Sequence, residues 1–308
     1  MKITAESINI SEEKGTAKHP VPHIGVYDHG FRGDAHAGDW HRQISLLGNP
    51  SIRRFEERMT RKIGPGEFGE NITVDGIDLN DVAVLDRFRI GDVELEITQI
   101  GKSCHGDDCA IYREVGKCVM PKEGLFARVI KQGTIQQGAE MEYLPRPFTV
   151  RVITISDRAY AGVYEDISGP RITELVKAGF STKRYHLKTI YQLLPDDQAA
   201  IEAALRSAVE AGDDLIFTTG GTGIGPRDVT PEAVMAVADK ILPGVMDHIR
   251  LKYGAEKPNA LFSRSLCAIS GHSSIFALPG SVRAVEEYMR ELLGMIDHMV
   301  IMIHGIGH

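Results

Sequence analysis

Residues 214–233 read DLIFTTGGTGIGPRDVTPEA. Asp214 to Thr219 is a short apolar run with the composition of a buried strand. It leads directly into Gly220-Gly221-Thr222-Gly223. Glycines there let the backbone approach a ligand closely and aim several N–H groups at one anion. Thr230-Pro231-Glu232 then signals the start of a helix, with a capping hydroxyl, a proline in the first turn and an acid beside the positive dipole end. Between loop and helix, Arg227 offers a phosphate partner and Asp228 a Mg²⁺ ligand. No Gly-Lys-Ser/Thr follows, so this is not a Walker loop. The stretch predicts a phosphate-binding strand–loop–helix unit. A tight turn with a capped helix is the plainer alternative.

The surrounding sequence repeats this alternation. Thr149 to Ser156 (TVRVITIS) reads as a buried parallel strand. Gly169-Pro170 opens a helix with Ile172, Leu175 and Val176 on one face, for which Gly179 suits the C-terminal cap. Ile201, Ala204, Leu205, Ala208 and Val209 form a helical stripe closed by Gly212. Ser274 to Leu278 is a further strand, with helices from Val282 and Gly294. Residues 147–308 are therefore expected to form an α/β three-layer domain with a mostly parallel sheet. Residues 1–146 have another texture. Val82–Leu85, Val93–Ile100 and Leu125–Ile130 are β-like segments punctuated by Gly and Asp, and only Ser51–Lys62 looks helical. A β-rich, barrel-like first domain is expected, joined to the second through Tyr143-Leu-Pro-Arg-Pro-Phe148, where two prolines stiffen the connection.

In an open α/β sheet, ligands bind beyond the C-terminal ends of the strands. Asp157 follows the first strand of the second half and so faces the same crevice as the 220–228 loop. Asp196, in LLPDD, is either an acid of that crevice or the N-cap of the following helix. Ser263, Arg264 and Ser265 offer two hydroxyls and a guanidinium, and Pro279-Gly280-Ser281 forms a turn after another strand. In order and spacing, Ser156-Asp157, Ser168-Gly169-Pro170, Pro195-Asp196, TTGGTG at 218–223, PRDVTPEA at 226–233, Ser263-Arg264-Ser265 and Leu278-Pro279-Gly280 resemble the MogA/MoaB-like molybdopterin adenylyltransferases. The resemblance implies Mg²⁺-dependent transfer of AMP from ATP to the terminal phosphate of molybdopterin, with release of pyrophosphate. It implies catalytic roles for Asp157, Asp196 and Asp228, with Mg²⁺ on Asp157 and Asp228. It also implies nucleotide or phosphate contacts from Gly220, Gly221, Thr222, Gly223, Arg227, Pro279, Gly280 and Ser281, and pterin contacts from Ser263, Arg264 and Ser265. A homotrimer is the usual assembly. Many members carry Asn-Pro or a similar pair after the Pro-Gly turn, where this chain continues Ser281-Val282.

Two clusters stand out in the first half. GDAHAGDWHRQISLL at 33–47 holds the single tryptophan, and KSCHGDDC at 102–109 leads on to Cys118. Cys104, His105, Cys109 and Cys118 admit a thiolate/imidazole metal site, a nucleophilic or sulfur-carrying cysteine, or buried small side chains. With PGEFGENIT at 65–73, ITQIGKSCH at 97–105 and CVMPKEGLFARVIKQG at 118–133, these clusters resemble a MOSC domain. That resemblance implies a β-rich fold that binds molybdenum cofactor or a pterin intermediate. It also implies a sulfur-carrying cysteine, for which the order is Cys104, Cys118, Cys109. Arg42, Asn71 and Arg128 are candidates to contact a pterin phosphate, against the alternative of exposed side chains on turns.

The 308 residues carry a formal charge of −7, and neither half has a basic excess. Nucleic acid and anionic membrane are thus not expected as partners. No apolar run approaches the length of a membrane span, and the start MKITAESINISEEKG lacks an apolar leader core, so a cytoplasmic protein is expected. Cys267 reads as core, and His304 and His308 as a solvated tail. The leading expectation is a protein of molybdenum cofactor biosynthesis that acts on molybdopterin and ATP and serves a molybdenum insertase or apo-molybdoenzymes. A non-catalytic cofactor carrier and a sulfur transferase acting through the first domain are the alternatives.

Overall fold

The computed structural model describes residues 2–59, 61–103 and 118–306. Two compact units divide between Arg146 and Pro147. The first contains β1 (Ile3–Ile10), β2 (His19–Val21), β3 (His23–Tyr27), β4 (Gly30–Phe31), β5 (Ile44–Gly48), β6 (Ile72–Asp75), β7 (Arg87–Ile90), β8 (Val93–Ile100), β9 (Leu125–Lys131), β10 (Gly133–Gln136) and β11 (Ala139–Leu144). Seven of these strands close a barrel in the order β11-β7-β8-β9-β5-β6-β1, because β1 pairs back onto β11. Within that ring only β5 and β6 run parallel. Closure removes the exposed edges that an open sheet would present.

Alternation decides which side chains enter the barrel. On β7, Phe88 and Ile90 are buried, while Arg87 pairs with Glu94 and Glu96 and Arg89 with Glu142. Ile8, Ile44, Leu46, Ile72, Val74, Leu95, Ile97 and Leu125 complete a common core. The helix Asn49–Met59 covers a second apolar cluster with Phe55, Phe68 and Phe126. Val82–Leu85 is not a strand. It is a buried turn with Leu85 at φ 72°, and the Asp86 carboxylate ties it down by accepting from the Ala83 amide (2.7 Å) and the Tyr143 hydroxyl (2.6 Å). Its apolar composition reflects burial, not pairing.

The second unit contains β12 (Pro147–Ile155), β13 (His186–Leu194), β14 (Leu215–Thr219), β15 (Lys240–Ile241), β16 (Leu266–Ser270) and β17 (Ser273–Leu278) in the sheet order β13-β12-β14-β17-β16-β15. β13, β12, β14 and β17 pair in parallel, whereas β16 and β15 continue antiparallel. The helices Gln198–Glu210 and Thr230–Met235 bury Ile201, Leu205, Ala233 and Val234 against Ile153, Ile216 and Ile275. The helices Ser168–Phe180 and Val282–Leu292 pack on each other and on β12 and β17. Alternate sheet residues are buried as well, and Phe217 stacks on Phe276 with ring centroids 4.9 Å apart.

Local details differ from the sequence reading. The helix from Ser168 runs through Gly179 to Phe180 and stops at Ser181. Thr230 does not cap its helix; its hydroxyl donates to the Gly220 carbonyl (2.9 Å). His304 is not part of a solvated tail: it is half-buried and stacks on His272, with centroids 5.1 Å apart. His308 lies outside the described residues. Cys267 is fully buried, and burial pushes its thiol up to about 12.

Phe217→Ala removes one of two stacked rings from the sheet surface and should cost about 3–5 kcal/mol of stability in urea unfolding. A loss below 1 kcal/mol would show that the neighbouring helices collapse into the space.

Candidate functional site

The parallel strands β12, β13, β14 and β17 all end at one edge of the sheet. There they deliver Ser156-Asp157, Pro195-Asp196, Gly220–Gly223 and Pro279–Ser281. Gly220 has φ 104°, and a Cβ on it would collide with the Ile155 carbonyl oxygen. Gly280 packs on the opposite side, where its Cβ would lie 3.2 Å from the Gly220 Cα. Only glycine allows this crossing. Beyond it, the amides of Gly221, Thr222 and Gly223 donate to no described residue, so three consecutive N–H groups remain available to an anion.

Two clefts flank the crossing. The larger, about 650 Å³, is lined by Gly220–Ile224, Asp228, Tyr253, Lys257, Ser263 and Pro279–Ser281. The other, about 470 Å³, is lined by Ser156, Tyr164, Asp166, Ser168 and Asp196, and shares Gly220, Gly280 and Ser281 with the first.

The acids separate by their partners. Asp157 and Asp196 bind each other reciprocally: the Asp157 amide donates to Asp196 Oδ2 (2.7 Å) and the Asp196 amide to Asp157 Oδ1 (3.0 Å). The helix cap is Asp197, which accepts from the Ala200 amide, so Asp196 belongs to the crevice. Arg227 grips Asp157 Oδ2 through Nε (3.0 Å) and Nη2 (2.5 Å). That guanidinium, helped by the Asp196 amide, holds the Asp157 carboxyl below the usual carboxylate range. Asp228 accepts from the Gly225 amide through Oδ2 (2.8 Å).

Arg264 does not reach into the cleft for a ligand. Its Nε donates to the Gly223 carbonyl (2.7 Å), and its two terminal nitrogens hold Glu232 and the Asp228 carbonyl. It is the clamp of the glycine loop. Burial works against the Glu232 carboxylate, but Arg264 holds it below its ordinary range. Ser263 lines the larger cleft. Ser265 sits behind it, 2% exposed, against the Tyr288 hydroxyl (2.9 Å).

Sequence reasoning missed Asp166, which accepts from Thr154 Oγ1 (2.7 Å), the Tyr191 hydroxyl (2.9 Å) and the Ser168 amide (3.0 Å). Burial opposes its charge, but these donors win and keep its carboxyl low. The Asp166-Ile-Ser168 spacing before a helix was the available signal. Among the described residues no group of three or more His, Cys, Asp and Glu is arranged to hold a metal.

In the barrel unit, a pocket of about 430 Å³ is lined by Lys14, His36, Trp40, Arg42, Asn71 and Lys102, together with small and apolar residues. Arg42 and Asn71 therefore meet at one site. Arg128 is engaged elsewhere, with Glu96 Oε1 at 2.7 Å. Cys118 is half-buried and packs against the cluster of Phe55, Phe68 and Phe126. Cys104, His105 and Cys109 lie outside the described residues.

Comparison with known proteins settles the kinship. Residues 151–298 match the family described as probable molybdopterin binding domain, and residues 33–142 match the MOSC domain. A Haemophilus influenzae protein named molybdopterin adenylyltransferase is 40% identical over 139 residues, covering 45% of this chain and 69% of its own. The chain belongs to the molybdopterin adenylyltransferase family. The Escherichia coli (strain K12) protein of that name is 37% identical over 158 residues, covering 51% of this chain and 78% of its own. A solved structure described as the anomalous substructure of MogA covers 50% of this chain and 99% of its own at 36% identity, with a TM-score of 0.47. No helix among the described residues is long and apolar enough to cross a membrane.

Arg264→Lys replaces a planar fork by a point charge and cannot serve three acceptors at once. It should lower the melting temperature and speed proteolytic cutting within 220–228. Unchanged cutting would show that the loop keeps its shape without the clamp.

Proposed function

We propose that the second unit transfers AMP from ATP to the terminal phosphate of molybdopterin, and that the barrel unit binds the same pterin or the cofactor made from it. The observation that carries the first half is the row of unengaged amides at Gly221, Thr222 and Gly223 beside Asp228 and a 650 Å³ cleft. Nucleotidyl transfer depends on positioning and on neutralising phosphate charge, so no nucleophilic side chain is required. A molybdopterin phosphate oxygen attacks the α-phosphorus of ATP. The new P–O bond forms as the bond to pyrophosphate breaks, and pyrophosphate carries away the electron pair.

The chain's own residues divide the work. The amides at 221–223 receive phosphate oxygens. Ser263 and the Pro279–Ser281 turn border the same cleft and orient the pterin and the nucleotide. Asp228 Oδ1, beside the larger cleft, and Asp196 Oδ1, beside the other, accept no hydrogen bond from a described residue and are the oxygens suited to a hard cation. Asp157 has both oxygens committed, to the Asp196 amide and to Arg227. Its Oδ1 keeps a further lone pair, so Asp157 remains a candidate ligand beside Asp228, with Asp196 as a third. Asp157 also braces Asp196 and Arg227. When bound, Mg²⁺ supplies charge neutralisation on the ATP phosphates.

Asp228→Ala should lower pyrophosphate release from Mg-ATP and molybdopterin by about 10²-fold or more, while the far-ultraviolet circular dichroism stays that of the wild type. Full turnover by a folded variant would overturn the role of Asp228.

A further inference from the structure

The barrel pocket has an unusual back wall. The Lys18 and Asp34 side chains are wholly shielded from solvent and form an ion pair. Asp34 also accepts from the Ser11 amide (3.1 Å) and the His36 amide (3.0 Å). Burial works against this carboxylate, but Lys18 and the two amides outweigh it and keep it ionised. An ammonium has three donors and no acceptor. Lys18 directs them at Asp34 Oδ2, Ser11 Oγ (3.3 Å) and His36 Nδ1 (3.3 Å).

This arrangement fixes the imidazole. Burial lowers the Lys18 pKa and its bond to Asp34 opposes that; as an ammonium Lys18 only donates, which makes Nδ1 of His36 the acceptor and puts the ring proton on Nε2, with Asp34 Oδ1 farther from Nδ1 at 3.7 Å. Nε2 has no partner among the described residues, and the ring lines the pocket. The Trp40 indole donates to the His36 carbonyl (2.9 Å) and anchors its backbone. Arg42 lies over the Trp40 ring with its guanidinium carbon 4.7 Å from the centroid, and Lys14 lies 5.8 Å from the same centroid. Lys14, Arg42 and Lys102 line the pocket, and no carboxylate does so among the described residues. Arg42 Nε is buried with no described partner. Three cations, a fixed ring N–H and no acid make a receptor for an oxyanion.

We propose that His36 is a fixed hydrogen-bond donor to an oxyanion of the phosphate-monoester class in the barrel pocket, with Lys18 and Asp34 as the positioning pair that sets its ring. This rests on, and sharpens, the reading of the barrel as a pterin-binding unit. His36 is then neither a general base nor a metal ligand, since Nδ1 is engaged and Nε2 carries the proton. The charged groups facing the ring are Asp34, Lys18, Lys102 and Lys14. Burial first, and then the charge of Lys18, lowers its pKa to about 4.

The test uses the full-length protein with ¹⁵N-labelled histidine. The His36 resonances are assigned by their loss in His36→Gln. In the wild type, Nδ1 should report an unprotonated nitrogen and Nε2 a protonated one, from neutral pH down to about pH 5. Titration with inorganic phosphate should shift Nε2–H, and the same shift should appear with molybdopterin. Arg42→Ala should weaken the phosphate response about tenfold. Lys18→Met should raise the His36 pKa above its wild-type value of about 4, because it removes the Lys18 charge and leaves the Asp34 carboxylate 3.7 Å from Nδ1, while burial still opposes the charged ring. If that variant does not fold, the tautomer in the wild type decides alone. A ring that titrates near pH 6.5, or carries its proton on Nδ1, overturns the proposal. So does a ring unmoved by phosphate and by molybdopterin. A shift with phosphate but none with molybdopterin upholds the oxyanion site and removes the pterin reading of the barrel instead.

Discussion

The second unit depends on one close crossing of backbones. Gly220 leaves β14 at positive φ and passes directly against the Ile155 carbonyl, with Gly280 on its other side. No side chain fits between these three segments. Their contact holds the ends of β12, β14 and β17 together and throws the next three amides outward. The Thr230 hydroxyl then ties the Gly220 carbonyl to the following helix, and Arg264 ties Gly223 and Asp228 to Glu232. The loop is thus tied to the sheet and to the following helix at Gly220, Gly223 and Asp228. Such ties matter because stabilisation of a transferring phosphate works best with donors already in place.

Charge is apportioned around that frame. Asp157 is bound by Arg227 and by the Asp196 amide, which ties the ends of β12 and β13 to the glycine loop. Asp196 and Asp228 each keep one oxygen without a donor among the described residues. Asp166 saturates itself with hydroxyls and amides and orders the start of the helix Ser168–Phe180. The barrel unit follows the opposite plan. Its pocket is cationic, and its acid, Asp34, is buried behind the wall, where it fixes Lys18 and through it His36.

Much of this was legible in the sequence, for identifiable reasons. The strand–glycine–helix order at 214–233 and the apolar runs at β12 and β17 are local signals with one reading. The motif spacings carried both family resemblances, and the comparisons bear them out. What was not legible depends on contacts between distant segments. Val82–Leu85 has strand composition but forms a turn, because burial of its side chains needs no pairing partner. β13 shows no strong alternation, since it is an edge strand without a fully buried residue. Asp196 and Asp197 are equivalent as text, and only the fold shows that the second caps the helix. Arg264 has the sequence of a ligand-gripping arginine, yet its guanidinium is engaged by two backbone carbonyls and the Glu232 carboxylate. Lys18 and Asp34, sixteen residues apart, look like two surface charges until the barrel closes over them.

The proposed role of the glycine frame, to present phosphates for adenylyl transfer, leaves its mark on the product. The most direct measurement is the mass of the pterin recovered after a single turnover of the protein with Mg-ATP and molybdopterin. Adenylyl transfer makes a pterin heavier by one adenylyl group, with one pyrophosphate released for each. Unmodified pterin alongside ADP and inorganic phosphate would contradict it.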